Sequence, residues 1–331
     1  MKVVLIYRQP AHQAVSIERV FRMIARNLPG VDVVEFVMSG RARLLSDVRS
    51  LRRLNADIYH VTGDVYYVVP MLPNGRTVLT FHDIGHYLFG LRGVKRLLYK
   101  WIWLALPLRS VSAVVCASSE TARNVKINFE VAEHKFHIID DCLTAEFIPS
   151  VREFNYQKPR ILQVGTKPYK NVPRLIYALA GISCTLVLVG EIDDPIRDAL
   201  NETEVSIEGH AGITDAALLE LYQTCDMVTF VSTGEGFGLP IIEAQAAARP
   251  LLTSNVSPLC DVAGLGACLV DPLDVISIRE GLRKIIDDNK YRHSLVRHGL
   301  ANVSRFSPAT IAGKYRKIYD ALLFARGRAA W

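Results

Sequence analysis

Two glutamates, Glu235 and Glu243, lie eight positions apart around a loop that contains three glycines. The residues before this loop have the apolar pattern of a buried strand, and Pro240 suits the first turn of a helix, where its missing N–H is not needed. In such a strand–loop–helix unit, the backbone N–H groups of Gly236, Phe237, Gly238 and Leu239 can bind a phosphate or a sugar hydroxyl. Glu243 is expected on the first helical turn, where the helix dipole favours an anion. On these residues alone, an ordinary connection with surface glutamates stays open.

A second loop offers positive charge. Lys170 follows the predicted strand 160–165 and immediately precedes a predicted helix at 171–180. A lysine beside a helix N-terminus is well suited to a pyrophosphate, because the ammonium and the free N–H groups attract the same anion. Lys167 is a candidate for a second positive charge, and Gly165 and Thr166 form the start of the loop. A pair of solvated surface lysines is the alternative interpretation.

His82 follows the predicted strand 76–81 and is followed by Asp83. At the carboxyl end of a strand, an imidazole can hydrogen-bond a sugar hydroxyl or a phosphate. A capping or core histidine is equally compatible with the pattern. Asp83 is better suited to cap or position its loop.

A basic and aromatic segment lies at 91–110. Cations recur in it at helical spacing beside tryptophans, and these residues are Arg92, Lys95, Arg96, Lys100, Trp101 and Trp103. The first 150 residues carry the whole net charge of +6, because basic and acidic residues balance in the remainder. This combination favours contact with an anionic membrane surface. An ordinary domain helix with its cations in solvent is the alternative.

The elements that must position these residues alternate regularly between short apolar strands and amphipathic helices. Strands that are apolar throughout indicate parallel sheets covered on both faces, and the alternation predicts doubly wound α/β topology in both halves of the 331-residue chain. We predict an N-terminal domain over 1–150, a C-terminal domain over 151–307, and a final helix over 308–331 that packs back on the N-terminal domain. In such sheets, ligands bind beyond the carboxyl ends of the strands.

Composition excludes several classes of protein. Half of the residues are hydrophobic, which is too many for a disordered chain. The six cysteines are scattered singly, so we expect small core residues in a reducing cytosol rather than disulfides or a zinc site. No segment reaches about 18 consecutive apolar residues, and the N-terminus begins with a strand-like run rather than a signal peptide. No nucleic-acid-binding motif is present, and no G-x-G-x-x-G follows the first strand, which excludes a typical dehydrogenase.

The segment EGFGLPIIEAQA (235–246) resembles the signature of the family 4 retaining glycosyltransferases, which have the GT-B fold of two facing Rossmann-like domains. The likeness extends to ILQVGTKPYKNVPRLIYAL (161–179), GHAGITDAALLELYQTCDMVTFVS (209–232) and TSNVSPLCDVAGLGACLVDPLD (253–274), and in the first half to TFHDIGH (80–86) and CASSETARNV (116–125). A Gly-Gly loop usual after the first strand of the family is replaced by YRQPAHQAVSIERVF (7–21), where Ser16 could cap a helix.

The resemblance implies a metal-independent, retaining transfer of a sugar from a nucleotide-sugar, such as GDP-mannose or a UDP-sugar, to a saccharide or lipid-linked acceptor. The nucleotide-sugar is a co-substrate, and no cofactor or metal is expected. In this interpretation Glu243 binds the ribose, Lys170 with Lys167 neutralises the pyrophosphate, and Glu235 and His82 act on the transferred sugar. The expected location is cytoplasmic, with peripheral contact to the inner face of the membrane. An epimerase or phosphorylase of the same fold, and an inactive partner subunit, are the alternatives.

Overall fold

The computed structural model describes residues 1–9, 16–150 and 152–329, and it divides the chain into two compact units. The first unit combines Met1–Thr144 with the C-terminal segment that starts at Ser307, and the second unit comprises Ala145–Phe306. The doubly wound α/β architecture predicted from the sequence is confirmed in both units. Each unit has its own parallel sheet of six strands and its own apolar core.

The sheet of the first unit has the strand order β2-β1-β3-β4-β5-β6. Its strands are β1 (Lys2–Tyr7), β2 (Asp32–Val37), β3 (Ile58–Val61), β4 (Thr77–Phe81), β5 (Ala113–Cys116) and β6 (Phe136–Ile138). The helices are α1 (Ser16–Arg26), α2 (Leu44–Arg53), α3 (Gly93–Tyr99), α4 (Leu106–Ser110) and α5 (Ser119–Asn128). The central strands are buried along their whole length, as their unbroken apolar sequences predict.

The sheet of the second unit has the order β12-β11-β10-β7-β8-β9. Its strands are β7 (Arg160–Val164), β8 (Thr185–Val189), β9 (Ile207–His210), β10 (Met227–Phe230), β11 (Leu251–Ser254) and β12 (Cys268–Val270). The helices are α6 (Val172–Leu179), α7 (Asp194–Thr203), α8 (Asp215–Thr224), α9 (Leu239–Ala246), α10 (Leu259–Ala263), α11 (Val275–Asp287) and α12 (Asn289–Val303). The order places β7 beside β10, with Ile161 opposite Met227. This is the point where the strand order reverses, and ligands of such folds bind outside it.

The last helix, α13 (Pro308–Ala329), packs against the first unit through a buried polar contact. The two ring nitrogens of His60 lie 2.7 Å from the Tyr319 hydroxyl and 2.8 Å from Thr80 Oγ1. The Tyr315 hydroxyl lies 3.3 Å from the same Thr80 oxygen, and Phe21 meets the His60 ring edge-on. Because these polar groups are buried and satisfied, they fix the position of α13 on its sheet.

Three local features differ from the sequence prediction. Helix α7 was not predicted, because its sequence DPIRDALNET is largely polar and buries only Ile196 and Ala199. The helical spacing in the basic and aromatic segment at 91–110 predicts one helix, but a π-helical segment at Lys100–Ala105 interrupts it. Ser16 is the first residue of α1, and residues 10–15 of the segment that replaces the Gly-Gly loop lie outside the described residues.

Within the described ranges, no helix combines the length and the apolarity that a bilayer span requires. The six cysteines are free thiols, and all except Cys260 are buried. Over the same ranges, no group of three or more His, Cys, Asp or Glu side chains is arranged to hold a metal ion.

Candidate active site

Lys170 and Glu235 meet at the carboxyl ends of the neighbouring strands β7 and β10. Lys170 Nζ lies 2.7 Å from Glu235 Oε1, and the two side chains are mostly buried, with 14% and 12% of their surfaces exposed. The ammonium also lies 4.3 Å from the centre of the Phe230 ring, which adds a cation–π contact. Apart from Lys170, Glu235 Oε1 has no hydrogen-bond partner among the described residues, so this oxygen can still accept from a ligand hydroxyl. The two residues therefore form a charged centre that is poised for a polar ligand.

Gly165 shapes the loop that carries Lys170. Its φ of +89° lies in the left-handed region, and a Cβ at this position would lie 2.9 Å from Lys170 Cε. Any other residue would therefore be strained and would displace the lysine stem. Thr166 packs against Gly190, where a Cβ would lie 2.6 Å from Thr166 Oγ1. Lys167 is exposed nearby in the same loop.

Asn171, which sequence reasoning did not single out, holds three loops together. It is buried and has a left-handed backbone with φ of 61°, directly after Lys170. Its Nδ2 donates to the carbonyl of Val231 at 3.0 Å and to the carbonyl of Pro272 at 2.6 Å. Its Oδ1 accepts from Arg174 Nη1 at 2.8 Å. Asn171 thus fixes the loop after β7 to the loops after β10 and β12. In the sequence, only its position beside Lys170 indicates this role.

The glycine loop leads into α9 through Gly238, whose φ is +104°. A Cβ on Gly238 would lie 2.8 Å from Leu259 Cδ2, so the close approach of helix and loop depends on glycine. The side chain of Phe237 is buried and meets Phe306 edge-on with ring centres 5.7 Å apart. Phe237 is therefore available to a ligand only through its backbone. Gly236 and Leu239 complete the loop at the helix N-terminus, as predicted.

Glu243 lies in the second turn of α9 rather than the first, because the helix begins at Leu239. The expected contact with the first-turn dipole is therefore wrong. Instead, the carboxylate is buried and accepts a hydrogen bond of 2.8 Å from the hydroxyl of Tyr222, on α8. Tyr222 was not predicted as a site residue, since its partner lies 21 positions away along the chain. The hydrogen bond holds the Glu243 carboxylate in one orientation.

His82 lies after β4, and both of its ring nitrogens have partners within the first unit. Nε2 lies 2.9 Å from the carbonyl oxygen of Thr62, and Nδ1 lies 3.5 Å from Asp141 Oδ1. Burial opposes the charged form of the ring, but the negative charge of Asp141 and these contacts outweigh it and raise the pKa of His82. Asp83 accepts from the N–H of Gly85 and so positions its own loop, as its sequence context suggested. A ligand contact of His82 through a ring nitrogen would require one of these partners to yield.

The basic and aromatic segment of the first unit has a continuous exposed apolar face. The exposed apolar side chains are Val94, Leu97, Leu98, Trp101, Ile102 and Leu106. Arg92, Lys95 and Arg96 are exposed beside them. Arg96 also extends over the ring of Tyr87, and the half-buried Lys100 extends over the ring of Phe129.

The two tryptophans of this segment differ. Trp101 is 49% exposed, but Trp103 packs on the core, stacked on Tyr99 and covered by the guanidinium of Arg41 at 4.6 Å. Trp103, predicted to face a membrane, therefore faces inward. The π-helical segment changes the helical phase, so the direction of the Trp103 side chain does not follow from its spacing along the sequence.

Two family models match the chain, one on each unit. The model described as Glycosyltransferase Family 4 matches residues 2–142, and the model described as Glycosyl transferases group 1 matches residues 145–300. Together they span nearly all of the two sheets and include the Lys170 and Glu235 loops.

Several characterised relatives are mannosyltransferases. The chain is 31% identical over 208 residues to the serotype-specific mannosyltransferase WbdA of Escherichia coli, a match that covers 57% of this chain and 25% of that protein. It is 24% identical over 231 residues to the O-antigen chain mannosyltransferase RfbU of Salmonella typhimurium, covering 66% of this chain and 63% of that protein. The chain thus spans between a quarter and about two thirds of the length of these relatives.

Solved structures share the fold. A sucrose-phosphate synthase from Thermosynechococcus elongatus has a TM-score of 0.78 at 18% identity, covering 98% of this chain and 99% of that one. Anabaena Alr3699/HepE, solved in complex with UDP and glucose, has a TM-score of 0.76 at 15% identity, covering 97% of this chain and 100% of that one. At these identities the likeness shows that the chain has the GT-B fold.

Proposed function

Because this chain belongs to the family 4 glycosyltransferases, we propose that it transfers a sugar from a nucleotide-sugar to an acceptor hydroxyl in the synthesis of a surface polysaccharide or glycolipid. The observation that carries this proposal is the mostly buried Lys170–Glu235 ion pair, at the point where the strand order of the second sheet reverses. A cation for the leaving group and an acceptor for a sugar hydroxyl lie side by side there. An epimerase, a phosphorylase or an inactive subunit is less well supported, since the similar characterised proteins are named as transferases.

The donor binds, in this proposal, across the loops after β7 and β10. The ammonium of Lys170 meets the pyrophosphate, with Lys167 as a second cation, and stabilises the charge that develops on the leaving nucleoside diphosphate. Arrival of the phosphates weakens the ion pair, so the Glu235 carboxylate becomes free to accept from a sugar hydroxyl. The N–H groups of the glycine loop bind the same sugar or its phosphate. Glu243, oriented by Tyr222, binds the ribose hydroxyls.

We further propose mannose as the transferred sugar, carried by GDP or UDP, because the relatives named above are mannosyltransferases. The reaction retains the anomeric configuration and needs no metal ion, since Lys170 provides the positive charge at the leaving group. Two measurements test these points. The anomeric signal of the first-formed product in proton NMR gives the stereochemistry, and activity in EDTA against activity in Mg²⁺ gives the metal requirement. An inverted product or a dependence on Mg²⁺ would contradict this part.

Three substitutions test the donor site. Lys170→Ala should weaken nucleoside diphosphate binding by at least about tenfold, because it removes the ammonium that meets the pyrophosphate and leaves Lys167 as the remaining side-chain cation. Glu243→Ala should weaken binding of the nucleoside as well as the diphosphate. Glu235→Gln keeps the size and removes the charge, so it should lower kcat with little change in nucleotide affinity.

The measurements are calorimetric titrations with GDP, UDP and ADP and a transfer assay with a panel of nucleotide-sugars. Arg197→Ala, an exposed cation elsewhere in the second unit, is the matched control and should leave all values unchanged. If Lys170→Ala and Glu243→Ala bind the preferred nucleotide as the wild type does, the donor site is misplaced. If Glu235→Gln turns over normally, its catalytic role fails.

His82 keeps its predicted role as a further catalytic residue in this proposal. His82→Asn retains a hydrogen-bonding side chain but cannot carry a charge. It should lower kcat while leaving nucleoside diphosphate affinity unchanged. Asp141→Asn is the companion variant, because it removes the charge that raises the pKa of His82. Wild-type turnover by His82→Asn would limit this residue to a structural role.

We also propose that the exposed apolar face of the first unit binds an anionic membrane surface, which would suit a lipid-linked acceptor. Leu97, Leu98 and Trp101 are each about half exposed, which is unusual for large apolar side chains on one helical segment. Arg92 and Lys95 flank them, and each cation near an anionic bilayer contributes about 1 kcal/mol. An amphipathic segment of this kind lies in the interface plane.

Flotation with vesicles tests the membrane contact. Binding should require phosphatidylglycerol or another anionic lipid and should weaken as salt rises. It should fall when Arg92, Lys95, Arg96 and Lys100 are changed to Gln, and fall further with Trp101→Ala. The control changes four exposed cations of the second unit to Gln, namely Arg197, Arg283, Lys290 and Arg297. Equal loss in the control would indicate net charge alone, and no binding at low salt would refute a membrane surface.

A further inference from the structure

A cavity of about 850 Å³ lies in the second unit, away from the loops described above. Its walls come from the segment before β7, from the residues that immediately precede β10 and β11, and from the junction of α11 and α12. A volume of this size is typical of small-molecule sites. Nothing in the proposed transfer reaction uses it.

The cavity is at the opposite edge of the sheet from the candidate donor site. Asp226 lines it and directly precedes β10, and Pro250 lines it and directly precedes β11. Lys170 and Glu235 instead follow β7 and β10. Since all strands of this sheet are parallel, their amino ends share one edge and their carboxyl ends the other. A molecule in this cavity therefore does not occupy the donor site.

The walls of the cavity carry equal numbers of basic and acidic side chains, leaving histidine aside. Its cations are Arg152, Arg249 and Arg292, and its anions are Glu153, Asp226 and Asp287. Among the described residues, neither Arg249 nor Arg292 forms an ion pair. Each guanidinium instead donates to backbone carbonyls at the end of a helix. Arg249 donates to the carbonyls of Tyr222 and Gln223. Arg292 donates to the carbonyls of Ile285 and Ile286. Asp226 accepts from the backbone N–H of Asn155 and of Arg160. Equal numbers of carboxylates and guanidinium groups in the walls do not favour an anion or a cation as the occupant.

The same walls offer hydrogen-bond donors and acceptors side by side, together with aromatic surface. Phe154 packs under the guanidinium of Arg292 at 4.2 Å, and Tyr156 is 67% exposed at the cavity. Asn289 adds an amide, whose oxygen accepts from Arg292 at 3.1 Å. A pyranose has a matching character, since its C–H faces are apolar and each hydroxyl both donates and accepts. An exposed ring beside mixed polar groups of no net charge is complementary to such a molecule.

We propose that this cavity is a second, non-catalytic site that binds a neutral saccharide, with the Tyr156 ring packed on a pyranose face. Saccharide binding in the cavity is independent of the proposed function. The identity of the saccharide, as the acceptor or product of the enzyme, rests on the proposed function. A saccharide bound in the cavity would remain on the protein between rounds of transfer, because its release from the active site would not release it from the cavity. Such retention raises the effective concentration of the acceptor.

Saccharide binding can be measured without turnover. The full chain is titrated with neutral manno- and gluco-oligosaccharides of two to six units, followed by calorimetry and saturation-transfer NMR. Tyr156→Ala should weaken binding by about fivefold or more, in line with the loss of one stacking ring, and Tyr156→Phe should keep most of the affinity. Phe324→Ala is the matched control, because Phe324 is 65% exposed on the first unit. None of the three variants should change nucleoside diphosphate affinity.

Lys170→Ala separates this proposal from the proposed function, since it should impair nucleotide binding and leave the Tyr156-dependent saccharide binding intact. Three results would overturn the proposal. The first is equal affinity of the oligosaccharides for the wild type and Tyr156→Ala, and the second is no oligosaccharide binding at all. The third is Tyr156-dependent binding of citrate and inorganic phosphate only. The last result would assign the cavity to an anion. If the transfer assay fails but Tyr156-dependent binding persists, the saccharide site stands without the enzymatic function.

Discussion

Replacement of Asn171 by glycine tests whether one side chain holds the loop after β7, which carries Lys170, in place. Glycine adopts the observed φ of 61° without strain, so Asn171→Gly removes only the side-chain contacts. The carbonyls of Val231 and Pro272 lose their amide donors in a buried setting. A buried acceptor left without a donor costs about 1–3 kcal/mol, so two of them give about 2–6 kcal/mol of lost stability. Asn171→Ala should cost about 1 kcal/mol more, because alanine is strained in the left-handed region.

The effect should extend to ligand binding, because Lys170 is the adjacent residue. A loop that is no longer tied to β10 and β12 does not keep the ammonium beside Glu235. Nucleoside diphosphate affinity should fall by about tenfold, and kcat should fall as well, since charge stabilisation depends on placement. The measurements are chemical unfolding followed by circular dichroism, calorimetric titration with the preferred nucleotide, and the transfer assay.

Asn55→Gly is the matched control. Asn55 also has a left-handed backbone, with φ of 43°, but it is exposed and lies in the first unit. Its replacement should change stability by less than about 1 kcal/mol and should leave nucleotide binding unchanged. If Asn171→Gly unfolds at the same denaturant concentration as Asn55→Gly and binds nucleotide as the wild type does, then Asn171 does not hold the loop in place.

Three further outcomes are expected. Gly238→Ala should destabilise the second unit by about 1–3 kcal/mol in chemical unfolding and weaken donor binding, because its φ of +104° and the contact with Leu259 both exclude a Cβ; wild-type stability would contradict this. Burial lowers the pKa of His60 to about 3, so neutral His60 stabilises the fold above pH 6.5, and this stability is lost as the pH falls toward 3. Unfolding free energies should fall by about 3 kcal/mol between pH 7 and pH 4.5 from this group, and His60→Gln should remove that slope. Trp103→Ala should lower stability by about 3 kcal/mol, whereas Trp101→Ala should leave it nearly unchanged and reduce only vesicle binding; the reverse order would show that the orientation of the two rings is misassigned.

The fold was predictable from the sequence because its strands are apolar throughout and its helices carry regular apolar stripes. The strand at 227–230 and the glycine loop after it are an example, since strand, turn residues and Pro240 all indicate the same structure. Helix α7 was missed because its buried face consists of one isoleucine and one alanine. A stripe that narrow cannot be told from a polar loop by periodicity alone.

The individual residues of the candidate site were also predictable, but their contacts were not. Lys170 and Glu235 were each named for their place after a strand, and their ion pair depends on β7 and β10 being neighbours. Strand order is a property of the folded sheet, which one sequence does not specify. The same holds for Tyr222 and Glu243, whose hydrogen bond joins two helices. The inward direction of Trp103 depends on a π-helical segment, for which the sequence has no clear signal.

The return of α13 to the first unit makes the second unit an insertion within it. Residues 1–144 leave exposed the surface that Tyr315 and Tyr319 cover, so they remain incomplete on the ribosome until the last helix has been made. Residues 145–306, in contrast, contain every strand of their own sheet and can fold earlier in synthesis. The later-encoded unit would therefore be finished first. Deletion of the last 25 residues would damage the half of the protein that is encoded farthest from them.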